Sequence, residues 1–329
     1  RFGLLLEVPL FGALAFALLE ADATLNVHGQ ARNYATVQSA RKRADELGAY
    51  GKRAWFDEGD LDRLLPVGRS CDLVVLTDLA PDELTPALAA EIRRVLHPWY
   101  GVAVLGNTEG GLKLEALEEW AGAIAGQVKP IETSGSLVKV TADSLEDADD
   151  WPMWWHGPDN NAVSEDTAFT LPSTMQWTGK PFFSTRIELP IIADGRLFMV
   201  WNGHLLDATP GEPILPGETV DLKTHGWATQ LRGALDEHRG PLLTVHAVGS
   251  GMRLWHKRLS PAAWLQAARC MMVADGNSLL ITDGSDLLEL DQATGEELRR
   301  KETDFGEIRW VTVHDDLVLL LGGPRFDRD

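Results

Sequence analysis

Residues 70–106 read SCDLVVLTDLAPDELTPALAAEIRRVLHPWYGVAVLG, and this stretch decides the fold of the first part of the chain. Ser70–Thr77 is a near-continuous apolar run of strand length, the pattern of a strand covered on both faces. Pro86–Leu96 follows with helical spacing and charges on one side, and Gly101–Gly106 is a second buried strand. Strand, helix and strand make a parallel unit, because a tight hairpin cannot join parallel neighbours.

The alternation extends in both directions. Upstream, Gly3–Val8 reads as a strand, Leu14–Glu20 as a helix and Thr24–Gly29 as a strand. Ala35–Leu47 is a helix with a charged face, and Arg53–Phe56 a short strand. Downstream, Leu112–Ile124 reads as a helix and Leu137–Thr141 as the closing strand. Residues 1–141 are therefore expected to form an α/β, Rossmann-like doubly wound sheet. In a nucleotide-binding sheet of this kind the turn after the first strand carries several glycines, so that backbone N–H groups approach the ligand. Here that turn is Pro9-Leu10-Phe11-Gly12-Ala13. Only Gly12 remains, Pro9 has no N–H, and Phe11 is expected to fill the ligand's space.

Ala142–Asp150 (ADSLEDADD) is an acidic linker, and beyond it the texture changes. From residue 151 to 329 short strands alternate with Gly, Asp and Pro turns. Ala193-Asp194-Gly195-Arg196-Leu197-Phe198 recurs as Ala274-Asp275-Gly276-Asn277-Ser278-Leu279 and, more loosely, as His314-Asp315-Asp316-Leu317-Val318-Leu319. A second element, Val245–Trp255, recurs as Leu290–Arg299 with Gly251 and Gly295 in register. Repeats of about 40 to 45 residues with strand–turn–strand content are the pattern of propeller blades. About four blades are expected here, an all-β, partial β-propeller at the lower limit of blade number. Leu317–Leu321 (LVLLL) is expected to leave an exposed apolar edge.

Composition narrows the function. The 329 residues carry 30 Lys and Arg against 49 Asp and Glu, a net charge of −19. Such acidity opposes binding to nucleic acid and to anionic membrane surfaces. Cys71 and Cys270 lie far apart in apolar contexts and read as two free, buried thiols. The nine histidines are scattered without a metal-ligand spacing, so no metal site is expected. Phe2–Leu19 is apolar but broken by Glu7, Pro9 and Gly12, so no transmembrane segment is expected. The densest polar and aromatic cluster is Trp151, Trp154, Trp155, His156, Asp159, Asn160 and Asn161. It reads either as an interaction surface or as a clasp, with rings covering a sheet edge and Asp and Asn side chains capping backbone groups.

Gly3–Thr141 resembles the Rossmann-like domain of S-adenosylmethionine-dependent methyltransferases. The resemblance lies in the strand Leu4–Val8, Ala40-Arg41, Leu47-Gly48-Ala49-Tyr50-Gly51, Cys71-Asp72-Leu73-Val74-Val75 and Arg94-Val95-Leu96-His97-Pro98. It implies a vestigial cofactor site: Pro9, Phe11 and Ala13 stand on the family's three loop glycines, with Gly12 among them. Ala31 stands where the family has the acid that holds the ribose, and Asp60 is the surviving acid, near the adenine position. From Trp151 onward the chain is similar to quinoprotein-like (PQQ-like) β-propeller repeat proteins. The order of the two parts resembles fusions in large bacterial proteins of planctomycete type.

The resemblance thus implies a non-catalytic binding or scaffold protein with no bound cofactor and no catalytic residues. Its partner would be another protein or further blades of the same polypeptide. One alternative is an active S-adenosylmethionine-dependent methyltransferase. The other is a quinone-dependent oxidoreductase, which would need a vicinal Cys pair and calcium-binding acids that this sequence lacks. A chain beginning at Arg1 fits removal of an export signal, so a periplasmic or cell-surface location is expected.

Overall fold

The computed structural model describes residues 2–6, 11–124, 126–131, 135–168, 177, 190–201, 241–260, 263 and 272–324. The chain divides into two compact units, Arg1–Leu145 and Glu146–Asp329.

The first unit is a sheet of β1 (Phe2–Leu6), β2 (Asn26–Ala31), β3 (Ala54–Glu58), β4 (Leu73–Leu76), β5 (Val102–Asn107), β6 (Gly126–Ile131) and β7 (Ser136–Ala142). Their order is β3-β2-β1-β4-β5-β7-β6. The first five strands run parallel, while β7 is antiparallel to both β5 and β6. The helices are α1 (Phe11–Ala21), α2 (Tyr34–Glu46), α3 (Pro86–Val95) and α4 (Leu114–Ala121). Ala15, Phe16, Leu19, Val37 and Ala40 of α1 and α2 pack with Val27, Phe56 and Val75 of the sheet. Leu88, Ile92 and Leu117 of α3 and α4 pack with Val74, Leu76, Ala103 and Leu105. Successive residues of β4 therefore enter opposite cores, and its sequence has no polar face to show.

Two elements depart from the sequence pattern. Phe11, Gly12 and Ala13 are the first turn of α1 and not part of a loop, so the helix starts three residues before Leu14. Residues 7–10, with Pro9 among them, lie outside the described residues. The strand β6 is hidden in GQVKPI because Pro130 and alternating exposure suit only an edge strand, and β6 is the edge. Helix starts beside the carboxyl edge of the sheet are set by capping. Asn33 accepts from the N–H groups of Ala35 and Thr36 (2.8 and 3.2 Å), and Thr85 accepts from Leu88 with Pro86 following it.

The second unit contains β8 (Ile191–Ala193), β9 (Arg196–Trp201), β10 (Leu242–Ala247), β11 (Arg253–Arg258), β12 (Met272–Asp275), β13 (Ser278–Asp283), β14 (Asp286–Asp291), β15 (Glu297–Glu302), β16 (Glu307–His314) and β17 (Leu317–Gly323). β8 to β11 form a four-stranded sheet in chain order, β12 to β15 a second, and β16 with β17 a hairpin. All pairings are antiparallel. The repeated Asp-rich element is the turn between the first two strands of each sheet, with positive φ at Asp194, Gly195, Gly276 and Asp315. The second repeat is the turn before the fourth strand, and a tryptophan fills it. Trp177 Nε1 donates to Val248 O (2.7 Å), and Trp255 Nε1 of β11 donates to Gln292 O (2.9 Å). Gly295 has φ +75°, and a Cβ there would stand 2.6 Å from the Trp255 ring, so both backbone and space require glycine.

The sheets stack. Phe198, Val200, Leu243 and Val245 pack with Ala274, Leu279, Ile281 and Leu288 on one face of the second sheet. Val273, Leu280 and Leu287 on its other face meet Ile308 and Val311 of β16. Among the described residues none of the sheets closes into a barrel or propeller. Of the four blades expected, two four-stranded sheets and a hairpin are described. Residues 169–176, 178–189 and 202–240, on which part of that expectation falls, lie outside the described residues. Leu317, Leu319 and Leu321 of β17 are exposed. His246 stands on β10 with its Nδ1 2.9 Å from Gly251 O, facing the turn that follows.

Candidate functional site

A doubly wound sheet offers its crevice beyond the carboxyl ends of the strands where the order reverses, here between β1 and β4. β2 and β4 flank β1, so the residues that follow them stand on either side of its carboxyl end. β2 closes with Ala31, which is buried. The next residue, Arg32, pairs with Glu83 in the short helical turn Pro81–Glu83 after β4, Nη1 to Oε1 at 2.8 Å. The pair therefore bridges the segments on either side of β1. Glu83 is held in turn by the Ala80 N–H, which donates to Oε2 at 2.8 Å.

Gln30, one residue before Ala31, is fully buried and fastens the loop that follows β3. Its amide donates to Asp60 O (2.7 Å) and Arg63 O (3.0 Å), and its carbonyl accepts from the Leu65 N–H (2.9 Å). Gly59 lies so close that a Cβ would stand 2.9 Å from Gln30 Nε2. The backbone of Asp60 is thus fixed while the residue itself is exposed. No motif marks Gln30. The one signal is a polar residue between Gly29 and Ala31 at the buried carboxyl end of β2.

The rim of this edge is acidic. Burial first, then the nearby Glu109 and Glu83, hold the Asp78 carboxyl above its ordinary range. Asn107 ties the segments after β4 and β5, donating Nδ2 to Leu79 O (3.0 Å) and accepting from the Glu109 N–H (2.8 Å). At the opposite end of β4, burial pushes the Cys71 thiol up to about 12, which makes it an inert core residue. Cys270 lies outside the described residues. Among the described residues no group of three or more His, Cys, Asp or Glu is placed to hold a metal ion. Among them, too, no helix is long and apolar enough to cross a membrane.

In the second unit the Trp-rich segment crosses the first strand of all three sheets. Trp151 pairs through N–H and C=O with Ile192 of β8 (2.8 and 2.9 Å), and Pro152 O accepts from the Ala274 N–H of β12 (2.9 Å). Met153 is buried with Ile308 and Val311 of β16, its Sδ 3.5 Å from Thr312 Oγ1. Trp154 stacks on Trp310 of β16, ring centroids 5.9 Å apart, and Trp155 stacks on Trp154 at 5.8 Å with planes 6° apart. His156 has φ +69° and its Nε2 lies 2.8 Å from Asp149 Oδ2. Asp149 also accepts from the Ser164 hydroxyl (2.9 Å) and the Glu165 N–H (2.8 Å). Burial pushes the Asp149 carboxyl up, but these partners outweigh it and hold the group below the usual carboxylate range. Asp159 Oδ1 accepts from the Asn161 N–H (3.2 Å) and Asn160 has φ +58°, so these two carboxylate and amide residues shape a turn just beyond the rings. Trp310 joins the cluster from far along the chain, with no sequence signal.

No protein-family profile matches the chain, and no curated protein matches it. Solved structures resemble it in part. The (4+2)-cyclase SpnF is 19% identical with a TM-score of 0.35, over 39% of this chain and 51% of its own. A Methanococcus maripaludis protein assigned to the S-adenosyl-L-methionine-dependent methyltransferases is 14% identical with a TM-score of 0.38, over 44% of this chain and 78% of its own. PigF, in a structure with SAH, is 16% identical with a TM-score of 0.35, over 44% of this chain and 50% of its own. The likeness is to methyltransferase-like Rossmann folds, at low coverage. The chain spans about half the length of SpnF and of PigF.

Proposed function

We propose that this chain is a non-catalytic binding or scaffold protein, a degenerate methyltransferase-like domain followed by β-propeller-type sheets that serve interaction. The observation that carries the reading is the end of β2. An S-adenosylmethionine site needs an acid there for the ribose, and a lost charge-assisted hydrogen bond costs about 1.5–3 kcal/mol. Ala31 offers no polar atom beyond its backbone, Arg32 is engaged with Glu83, and Gln30 with the loop after β3. The residues present do not fit the cofactor. The exposed Arg32–Glu83 pair alone is weak, about 0.2–1 kcal/mol, so lost recognition and not a locked gate excludes the ligand. Pro9, in the segment between β1 and α1, has no N–H and so removes a further donor.

The stacked sheets support the interaction half of the reading, since sheets of this kind present loops and edges without needing a reaction centre. Thermal unfolding with S-adenosylhomocysteine at about 1 mM, the top of the usual range of enzyme affinities, tests the proposal. A ligand at 100 times its Kd adds about 2.7 kcal/mol of stability, a shift of several degrees. We expect no shift. A saturable rise in Tm would overturn the reading and favour an active methyltransferase.

A further inference from the structure

We infer that Trp155 is a docking point for a lysine or arginine side chain on a basic segment of a partner protein, an inference that rests on the scaffold reading above. Three indoles form a column. Trp310 packs against the Ile308 and Val311 core, Trp154 lies on Trp310, and Trp155 lies on Trp154. Trp155 is 42% exposed, at the outer end of the column. Its backbone is as fixed as its ring. The Gly157 N–H donates to Trp155 O (2.8 Å), and Trp151 Nε1 donates to Trp154 O (3.0 Å). A large exposed ring that folding has already ordered loses little freedom on binding, which is what a recognition residue requires.

The chemistry of the surroundings selects the occupant. An indole face attracts cations through its quadrupole, and arginine or lysine are the protein groups that use it. Residues 146–168 contain seven acidic residues and no lysine or arginine, and Asp159, Glu165 and Asp166 among them are exposed. Ring and field therefore act with the same sign, and both favour a positively charged partner segment. A neutral stacking ligand such as a sugar would draw nothing from the acidic field.

The test is fluorescence anisotropy of a labelled peptide of about ten residues, alternating Lys and Arg with Ser, titrated with the full chain at low and at physiological salt. We expect saturable binding that weakens with salt. W155L, which keeps the apolar cover on Trp154 but removes the ring face, should bind about three- to five-fold more weakly. W155F should recover most of the loss, and D159N with E165Q should weaken binding further. Equal binding by W155L, or no saturable binding at low salt, would overturn the inference. So would tighter binding of a neutral oligosaccharide at Trp155, read by quenching of its emission. A cofactor-induced Tm shift would sink the scaffold reading while leaving this titration unchanged, so the two failures are distinguishable.

Discussion

Gln30 shows how one side chain can set the shape of a site edge. Buried at the end of β2, it satisfies two carbonyls and one N–H of the loop after β3. Replacing it with alanine leaves those groups without a partner, although the loop can admit some water. Q30A should lose about 2–3 kcal/mol of stability, read as a lower urea midpoint. A change under about 0.5 kcal/mol would show that the loop holds itself. Asp149 makes a second residue-scale prediction. Its carboxyl is depressed in the folded state, so its ties to His156, Ser164 and Glu165 contribute stability above the unfolded value of about 3.9. That contribution disappears as pH falls through the folded value. Proteolysis within residues 146–168 should therefore rise on acidification below about pH 4, and D149N should be cut readily at neutral pH as well. Equal protection of D149N and the parent chain at neutral pH would contradict the assignment. At this scale the sequence says little. Ala31 and Asp60 are visible only through a family pattern, and Gln30, Glu83 and Trp310 carry no motif at all. Their importance comes from tertiary contacts between distant segments, which a single sequence does not encode locally.

Elements are more legible, because periodicity reports which faces are covered. The apolar run of β4 follows from its place between two cores, and the charged face of α2 from its exposure. The start of α1 is misread because Pro9 and Gly12 have the chemistry of a loop, while the backbone at Gly12 is helical. The repeated Gly251 and Gly295 can be found by register alone, but not the reason for them. The reason is a tryptophan from earlier in the chain, Trp177 or Trp255, which packs on the glycine and donates to the carbonyl three residues before it. G295V places a branched side chain at φ +75° and against the Trp255 ring. Strain alone costs about 1–2 kcal/mol, and displacing the ring adds to it. We expect a loss of about 3 kcal/mol with a red-shifted tryptophan emission. Unchanged emission would contradict the clasp, and G295A should fall between the two.

At the scale of the whole molecule, the chain joins an α/β unit in which β2 ends on the buried Ala31 to a unit of stacked antiparallel sheets. The change of texture after residue 141 is readable in composition. The number of sheets and what they pack against are not, because identical strand–turn–strand repeats serve open and closed arrangements alike. The central claim concerns the first unit: its fold persists while the chemistry at the end of β2 does not support S-adenosylmethionine. Calorimetric titration of S-adenosylmethionine into the full chain tests it most directly. The account predicts no heat of binding beyond dilution up to about 1 mM, the weak end of enzyme affinities. A saturable one-to-one isotherm in that range would contradict it.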